Sequence, residues 1–363
     1  MTIGAFLLVL GPLVVLHELG HYLVGRWFGV RADAFSIGFG KELLGWTDSR
    51  GTRWKLSALP LGGYVQFAGD MNAASIPDPA LADAPPEELK GTFQAAKLWQ
   101  RALIVLAGPL TNLLVAIGIF AAFAMAYGVP VASPVVGGFS EHSAAKAAGM
   151  RVGDRITAIN GDKIRSFGDI VEHVVIYPGR TVTVTAERGG QTYRMQVTLA
   201  LDIEKDQFGN EMRRGLLGIS PAELEYTRVG PVAALAAGVD QSIEVMRMMA
   251  VGLQQIVTGE RSVREMGGPL KIAKFSGERL SLGWPEFTAF AALISINLAF
   301  INLLPIPALD GGHLAFYAAE AVRRRPLGIR SQEWAFRTGM AFVLGLMLFV
   351  TLNDLIDLLP LGK

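Results

Sequence analysis

Four apolar stretches decide what this chain can fold into. A helix needs about 20 mostly apolar residues, at ~1.5 Å of rise each, to cross ~30 Å of hydrocarbon. Residues 3–25, 102–127, 287–309 and 335–356 each meet that requirement. The first has no basic leader and no Ala-x-Ala-like cleavage site, and it contains His17, Glu18 and His21, so it reads as a retained span. Composition agrees: 51% of the 363 residues are hydrophobic and only 18% are charged, against about 25% charged in ordinary globular chains. A net charge of +1 provides no basic face for nucleic acid. The absence of cysteine excludes disulfide frameworks, iron–sulfur clusters and thiolate zinc sites. Any metal here has to be held by His, Asp or Glu.

Orientation follows from Lys and Arg in the short connections. Arg26, Arg31, Lys41, Arg50, Arg53 and Lys55 follow the first span, Lys97 and Arg101 precede the second, and Arg323, Arg324, Arg325 and Arg330 separate the third from the fourth. Both segments are expected in the cytoplasm, which places the termini and the long middle segment outside it. Residues 231–258 are also fairly apolar, but Asp240, Gln241, Glu244 and Arg247 recur at helical spacing. That pattern predicts an amphipathic helix lying on a surface rather than a fifth span.

Between the second and third spans the composition becomes that of a small folded domain. Residues 182–201 alternate as two strands about Gly189-Gly190, a hairpin signal. Residues 140–174 read as a short helix, a glycine turn, a strand, a second turn and a helix. The run from Ala147 to Ile164 resembles a PDZ domain, and one copy fits the available length. Such domains bind extended peptides along a sheet edge; a small α+β plug that filters partners by size is the other reading. The predicted division is 1–127 for the N-terminal membrane part, 131–203 for the PDZ-like domain, 204–285 for a connector holding the 231–258 helix, and 286–363 for the C-terminal membrane part.

The chemistry is concentrated in His17-Glu18-Leu19-Gly20-His21. On a helix, residues 17 and 21 are one turn apart and share a face, so both imidazoles can reach one Zn²⁺. Glu18 projects beside them, where it can take a proton from a metal-activated water and deliver it to a leaving amine. Ionisable groups inside a span are expensive, about 2.5–3.5 kcal/mol for an Asp, Lys or Arg at mid-helix, and a dication compensates them. A catalytic zinc takes three protein ligands and leaves one position open. The third is sought at the end of the third span, Asn302 to His313. Counted from the outer ends, His17 and Asn302 each lie about 20 Å down their helices, toward the cytoplasmic side. Pro305 and Pro307 break the helix there, and Gly311-Gly312 permit a tight turn that swings Asp310 toward the histidines. Asp310 is the predicted third ligand, with His313 its rival.

The histidine motif in the first span, together with Asn302-x-x-Pro305-x-Pro307-x-Leu309-Asp310-Gly311-Gly312-His313, resembles the site-2 protease family of intramembrane zinc metalloproteases. With the PDZ-like insertion it looks like the bacterial branch typified by the regulator of sigma-E protease, although that namesake carries two such modules. Phe35–Gly40, Pro60–Val65, Ala107–Asn112 and Gly267–Pro269 also match, so the likeness covers nearly the whole chain. It implies that His17, His21 and Asp310 bind a single zinc ion, that Glu18 is the acid/base, and that Asn302 positions the substrate or the oxyanion. Residues 35–40 and 59–67 alternate glycine with apolar residues, as short closely approached strands do, and the likeness implies a membrane-associated β-hairpin. Its edge can hold an unwound substrate by β-addition. Gly62, Gly63, Tyr64 and Asn112 are the expected substrate contacts, around a polar pocket that lets water in from the cytoplasm.

The expected fold is therefore a polytopic α-helical membrane protein with four transmembrane helices, a membrane-associated β-hairpin region and an inserted extracytoplasmic α+β PDZ-like domain. The expected activity is cleavage of single-span membrane proteins, such as trimmed anti-sigma factors or remnant signal peptides, within the bacterial inner membrane. The PDZ-like domain would contact substrate ectodomains or new C-termini. A non-catalytic PDZ adaptor with structural zinc is the alternative. A metal transporter is disfavoured, because spans two and four lack a row of polar residues.

Overall fold

The first apolar stretch forms one helix, α1 (Thr2–Trp27), in the computed structural model of the chain, which describes residues 2–70, 85, 89–175, 177–205, 211–222, 224–259, 267–325 and 328–358. Its buried positions include Ala5, Val9, Leu13, His17 and His21. A spacing of four keeps them on one slowly drifting stripe, so the sequence that packs the helix also turns both histidines inward. The other long apolar helices are α2 (Leu98–Tyr127), α7 (Trp284–Leu303) and α9 (Ile329–Leu358). Among the described residues, these four helices are long and apolar enough to cross a membrane. The third predicted span ran to residue 309, whereas α7 stops at Leu303, just ahead of the two prolines.

The chain divides into two compact units, Met1–Ala122 with Leu235–Lys363, and Phe123–Ala234. In the first, Ala5, Val9 and Leu13 of α1 cluster with Phe287 and Ile294 of α7. The N-terminal halves of the two helices therefore lie together, and the helices run parallel. Helix α6 (Pro269–Ser281) adds Ile272 and Leu280 to the same cluster.

Between α1 and α2 stand two long strands, β1 (Ala32–Thr47) and β2 (Arg53–Phe67), where two short ones were predicted. Positive φ at Gly38 (+91°) and Gly40 (+87°) bends β1, and each strand is used twice. Ala34–Ile37 pairs with Arg53–Leu56 on one side and with Gly63–Gln66 on the other, while Leu44–Thr47 pairs back onto Arg53–Leu56. The segment Gly63–Phe67 thereby becomes an outer edge of the sheet, and its Val65 and Phe67 join Tyr22 and Ile104 in one core.

Helix α5 (Pro231–Thr258) forms over the predicted residues, with Asp240, Gln241, Glu244 and Arg247 exposed. Val245 is buried with Ala116 of α2 and with Ala292 and Ile296 of α7. Gly238 lies so close to α2 that a Cβ would sit 2.6 Å from the Ile117 carbonyl oxygen. Small residues let the backbones approach, and apolar Ile243, Met248 and Val251 are left exposed elsewhere on the helix.

The second unit contains the predicted small domain. A four-stranded sheet is ordered β6 (Asp162–Lys163), β5 (Arg155–Ile159), β7 (Thr181–Arg188), β8 (Gln191–Thr198). Gly189 and Gly190 both have positive φ, as the tight β7–β8 hairpin requires. Helices α3 (Ala144–Ala147) and α4 (Phe167–Val175) complete the core, which buries Ile156, Ile159, Ile170, Val182, Val184 and Val197. The predicted boundary at 203 is too early. Strands β9 (Ala200–Lys205) and β10 (Glu211–Leu216) form a hairpin across it. Beyond them, β11 (Ile219–Pro221) pairs with β4 (Val136–Phe139), and β12 (Leu224–Thr227) pairs with β3 (Val129–Ala132). Residues expected in the connector thus close the domain's own sheets.

Candidate metal centre

His17 and His21 are held by α1, and Asp310 is the first residue of α8 (Asp310–Arg323). Between α7 and α8, residues 304–309 are non-helical, as Pro305 and Pro307 dictate. The predicted glycine turn is a different device in the structure. The reversal is made at Ala308, with φ +86°. Gly311 and Gly312 are already helical, and a Cβ on either would run into the carbonyls of Leu303, Leu304 or Ile306. Glycine is needed there for close backbone approach, not for a left-handed conformation. The consequence for Asp310 is the predicted one: Oδ2 lies 3.2 Å from His17 Nε2 and 3.5 Å from His21 Nε2.

The two Nε2 atoms are themselves 3.2 Å apart. His21 Nδ1 is 2.8 Å from the Ile104 carbonyl of α2, and only an Nδ1–H can donate to that oxygen. The neutral ring therefore presents a bare Nε2 lone pair to Asp310. Asp310 Oδ2 is buried and receives no hydrogen bond. Both rings turn Nε2 toward the Asp310 carboxylate, and an N₂O donor set of this kind fits a zinc ion with a further coordination position open. His17, His21 and Asp310 form a possible metal-holding group whose ligand atoms all lie within 4.8 Å of one another.

Glu18, half-buried, lines the same cavity, of about 300 Å³. The backbone N–H of Val65, on the outer edge of β2, faces its carboxyl group. Gly63 faces it, and a Cβ there would sit 3.0 Å from Glu18 Cγ. Asn302, Gly63, Tyr64, Leu309, Phe336 and Met340 also line the cavity. His313 also lines the cavity but is not one of the converging group among the described residues. Gly62 (φ +137°) adjoins this wall and lies against Phe39. Asn112 does not line it: the side chain is fully buried, with its amide nitrogen 3.3 Å from His17 Nδ1. The expected substrate contact at Asn112 is thus a contact to a histidine. Sequence reading missed Val65 and Ile104, because both act through the backbone and carry no side-chain signal.

Two imidazoles one turn apart, a carboxylate brought in by a second element and an adjacent glutamate, all sunk among apolar helices, define a membrane-embedded metalloprotease. Comparison makes the class specific. The sequence profile of peptidase family M50 matches residues 5–346, and the chain belongs to this family of zinc metalloproteases. A relative in Agrobacterium fabrum, named as a zinc metalloprotease, is 46% identical over 359 residues, covering 98% of this chain and 95% of its own. A relative in Rhizobium meliloti with the same designation is 45% identical over 359 residues, covering 98% and 96%. Metalloprotease MmpA of Caulobacter vibrioides is 36% identical over 376 residues, covering 97% and 94%. Among solved structures, the PDZ domain of an SdrC-like protein from Listeria monocytogenes aligns with 26% of this chain and 86% of its own, at 22% identity and a TM-score of 0.19.

Proposed function

We propose that the chain is an intramembrane endopeptidase that cuts the transmembrane segments of single-span membrane proteins in a bacterial inner membrane, on the cytoplasmic side of the bilayer's depth. The observation that carries this reading is the meeting of His17, His21 and Asp310 in a cavity that Glu18 also lines. Those three residues would hold one zinc ion, and bound zinc supplies Lewis-acid activation of water and of the scissile carbonyl. Glu18 takes the proton of the attacking water and returns it to the leaving amine. The backbone N–H of Val65 beside it favours a carboxyl aimed into the cavity. Asn302, which lines the cavity, would donate to the substrate carbonyl as charge develops on its oxygen.

A peptide bond inside a transmembrane helix is protected by its own hydrogen bonding, so the substrate has to unwind. The outer edge of Gly63–Phe67 offers backbone groups to an extended chain beside Glu18, with Gly62, Gly63 and Tyr64 at the contact. Trimmed anti-sigma factors and remnant signal peptides are substrates of the right chemistry, being single spans with little remaining outside. The PDZ-like unit then acts on ectodomains or new C-termini, and the active site faces the cytoplasm. A structural zinc in an adaptor takes four protein ligands, whereas three converge here among the described residues.

The test is Glu18→Gln in the purified full-length enzyme, with zinc content and cleavage of a single-span substrate both measured. Zinc is expected to stay at one per chain while cleavage falls at least a hundredfold. Cleavage at the parental rate would rule the mechanism out.

A further inference from the structure

Both histidines are tethered at Nδ1 to α2, His21 by a backbone carbonyl and His17 by a side-chain amide. His21 donates its Nδ1–H to the Ile104 carbonyl, which leaves Nε2 free. His17 has its Nδ1 3.3 Å from the side-chain amide of Asn112, two turns further along α2. An amide nitrogen and oxygen exchange places by a half turn of the group. With Nδ2 toward the ring, Nδ1 accepts, so the proton of neutral His17 sits on Nε2. That N–H then occupies the lone pair that faces Asp310. It also leaves Asn112 Oδ1 as a buried acceptor with no donor. With Oδ1 toward the ring, Nδ1–H donates to it, and Nε2 offers its lone pair to the point that His21 Nε2 and Asp310 Oδ2 share.

We propose that Asn112 is a positioning residue of the metal centre, whose amide oxygen accepts the His17 Nδ1–H and so fixes the ring tautomer and orientation that a metal requires. This inference rests on the metal site of the function proposed above. The placement of Asn112 suits the task. The side chain is fully buried and does not line the cavity, so it cannot meet a peptide. Its backbone carbonyl accepts a 2.7 Å hydrogen bond from Ser295 Oγ of α7, also fully buried. The helix that leads into the Asp310 loop therefore steadies the group that aims His17. Partners on the far nitrogen of a ligating histidine fix its ring in this way, and their loss typically costs 10–100-fold in metal affinity.

The experiment compares full-length parent, Asn112→Leu and Asn112→Asp in detergent, measuring zinc per chain and zinc affinity by competition with a chromogenic chelator. Leucine keeps the approximate size and removes the acceptor; aspartate keeps the shape and can only accept. Zinc affinity is expected to fall 10–100-fold in Asn112→Leu and to stay within threefold of the parent in Asn112→Asp. If the leucine variant does not yield monodisperse protein, Asn112→Ala reads the same quantity without added bulk. Parental affinity in the leucine or alanine variant overturns the positioning role. Equal loss in the leucine and aspartate variants overturns the acceptor assignment. A parent that binds no zinc overturns the metal reading itself, which separates that failure from this one.

Discussion

Two glycines set how closely α1, which carries both histidines, approaches α2. A Cβ at Gly20 would collide with the Ala107 carbonyl and Thr111 Oγ1 of α2, and one at Gly108 would collide with the His21 ring and lie 2.9 Å from His17 Cε1. Each helix thus presents a bare backbone to the other at the level of the site. Gly108→Ala is a clean test, because alanine favours a helix over glycine by about 1 kcal/mol while the added methyl displaces the imidazoles. Helix content is expected to hold and zinc occupancy to fall severalfold. Gly118→Ala, in the same helix with open space around the position, is expected to keep its zinc. Full occupancy in Gly108→Ala would mean that the close crossing does not place the rings. The converging group was legible because His17 and His21 are one turn apart in sequence, and Asp310 because helix rise brings it to the same depth. The reason for Gly20 and Gly108 was not, since it exists only once two helices cross. The turn was misassigned for a related reason: glycine marks both positive φ and close approach, and Ala308 took the strained conformation instead.

At the scale of elements, the most instructive junction is the start of α6. Gly268 precedes it and has no side chain to cap the helix. The cap comes from α9: Asp354, fully buried, accepts hydrogen bonds from the backbone N–H of Gly268 and of Lys271, both 3.0 Å long. A Cβ at Gly268 would sit 2.7 Å from that carboxylate, so the glycine also makes room for it. A carboxylate is favoured at this end of a helix because the unpaired N–H groups and the helix dipole both attract negative charge. Losing it leaves buried donors unsatisfied, at about 1–3 kcal/mol. Asp354→Ala is expected to speed amide hydrogen exchange through residues 268–274 by roughly five- to a hundredfold, the same cost expressed as a ratio. Unchanged protection there would remove the cap from the account of how α9 is held. Gly267–Pro269 was noticed in the sequence only as part of a family likeness. Its cap lies 86 residues away, and no local pattern announces a partner at that distance. The β1–β2 region was half legible for a similar reason: alternation showed strands, but not that each would pair twice.

For the whole molecule, the meeting of His17, His21 and Asp310 bears on how many times the chain crosses the bilayer. Helices α1 and α7 run parallel, with Ala5–Leu13 against Phe287 and Ile294, and His17 meets Asp310 just past the end of α7. If α5 were a crossing, α7 would run the opposite way from α1. Its C-terminal end would then lie at the membrane face where α1 begins, tens of ångströms from the level of His17. The observed contact therefore supports four crossings, with α5 packed beside them and the arginines of residues 323–325 on the same side as Arg26. The cysteine-free chain lets single thiols report this without background. Lys163, on the exposed β6, and Val322, 84% exposed near the end of α8, are suitable positions. In intact spheroplasts a membrane-impermeant maleimide is expected to label Lys163→Cys fully and Val322→Cys only after permeabilisation. Labelling of both from outside would require a fifth crossing, and with it a geometry in which residues 17 and 310 could not share an ion.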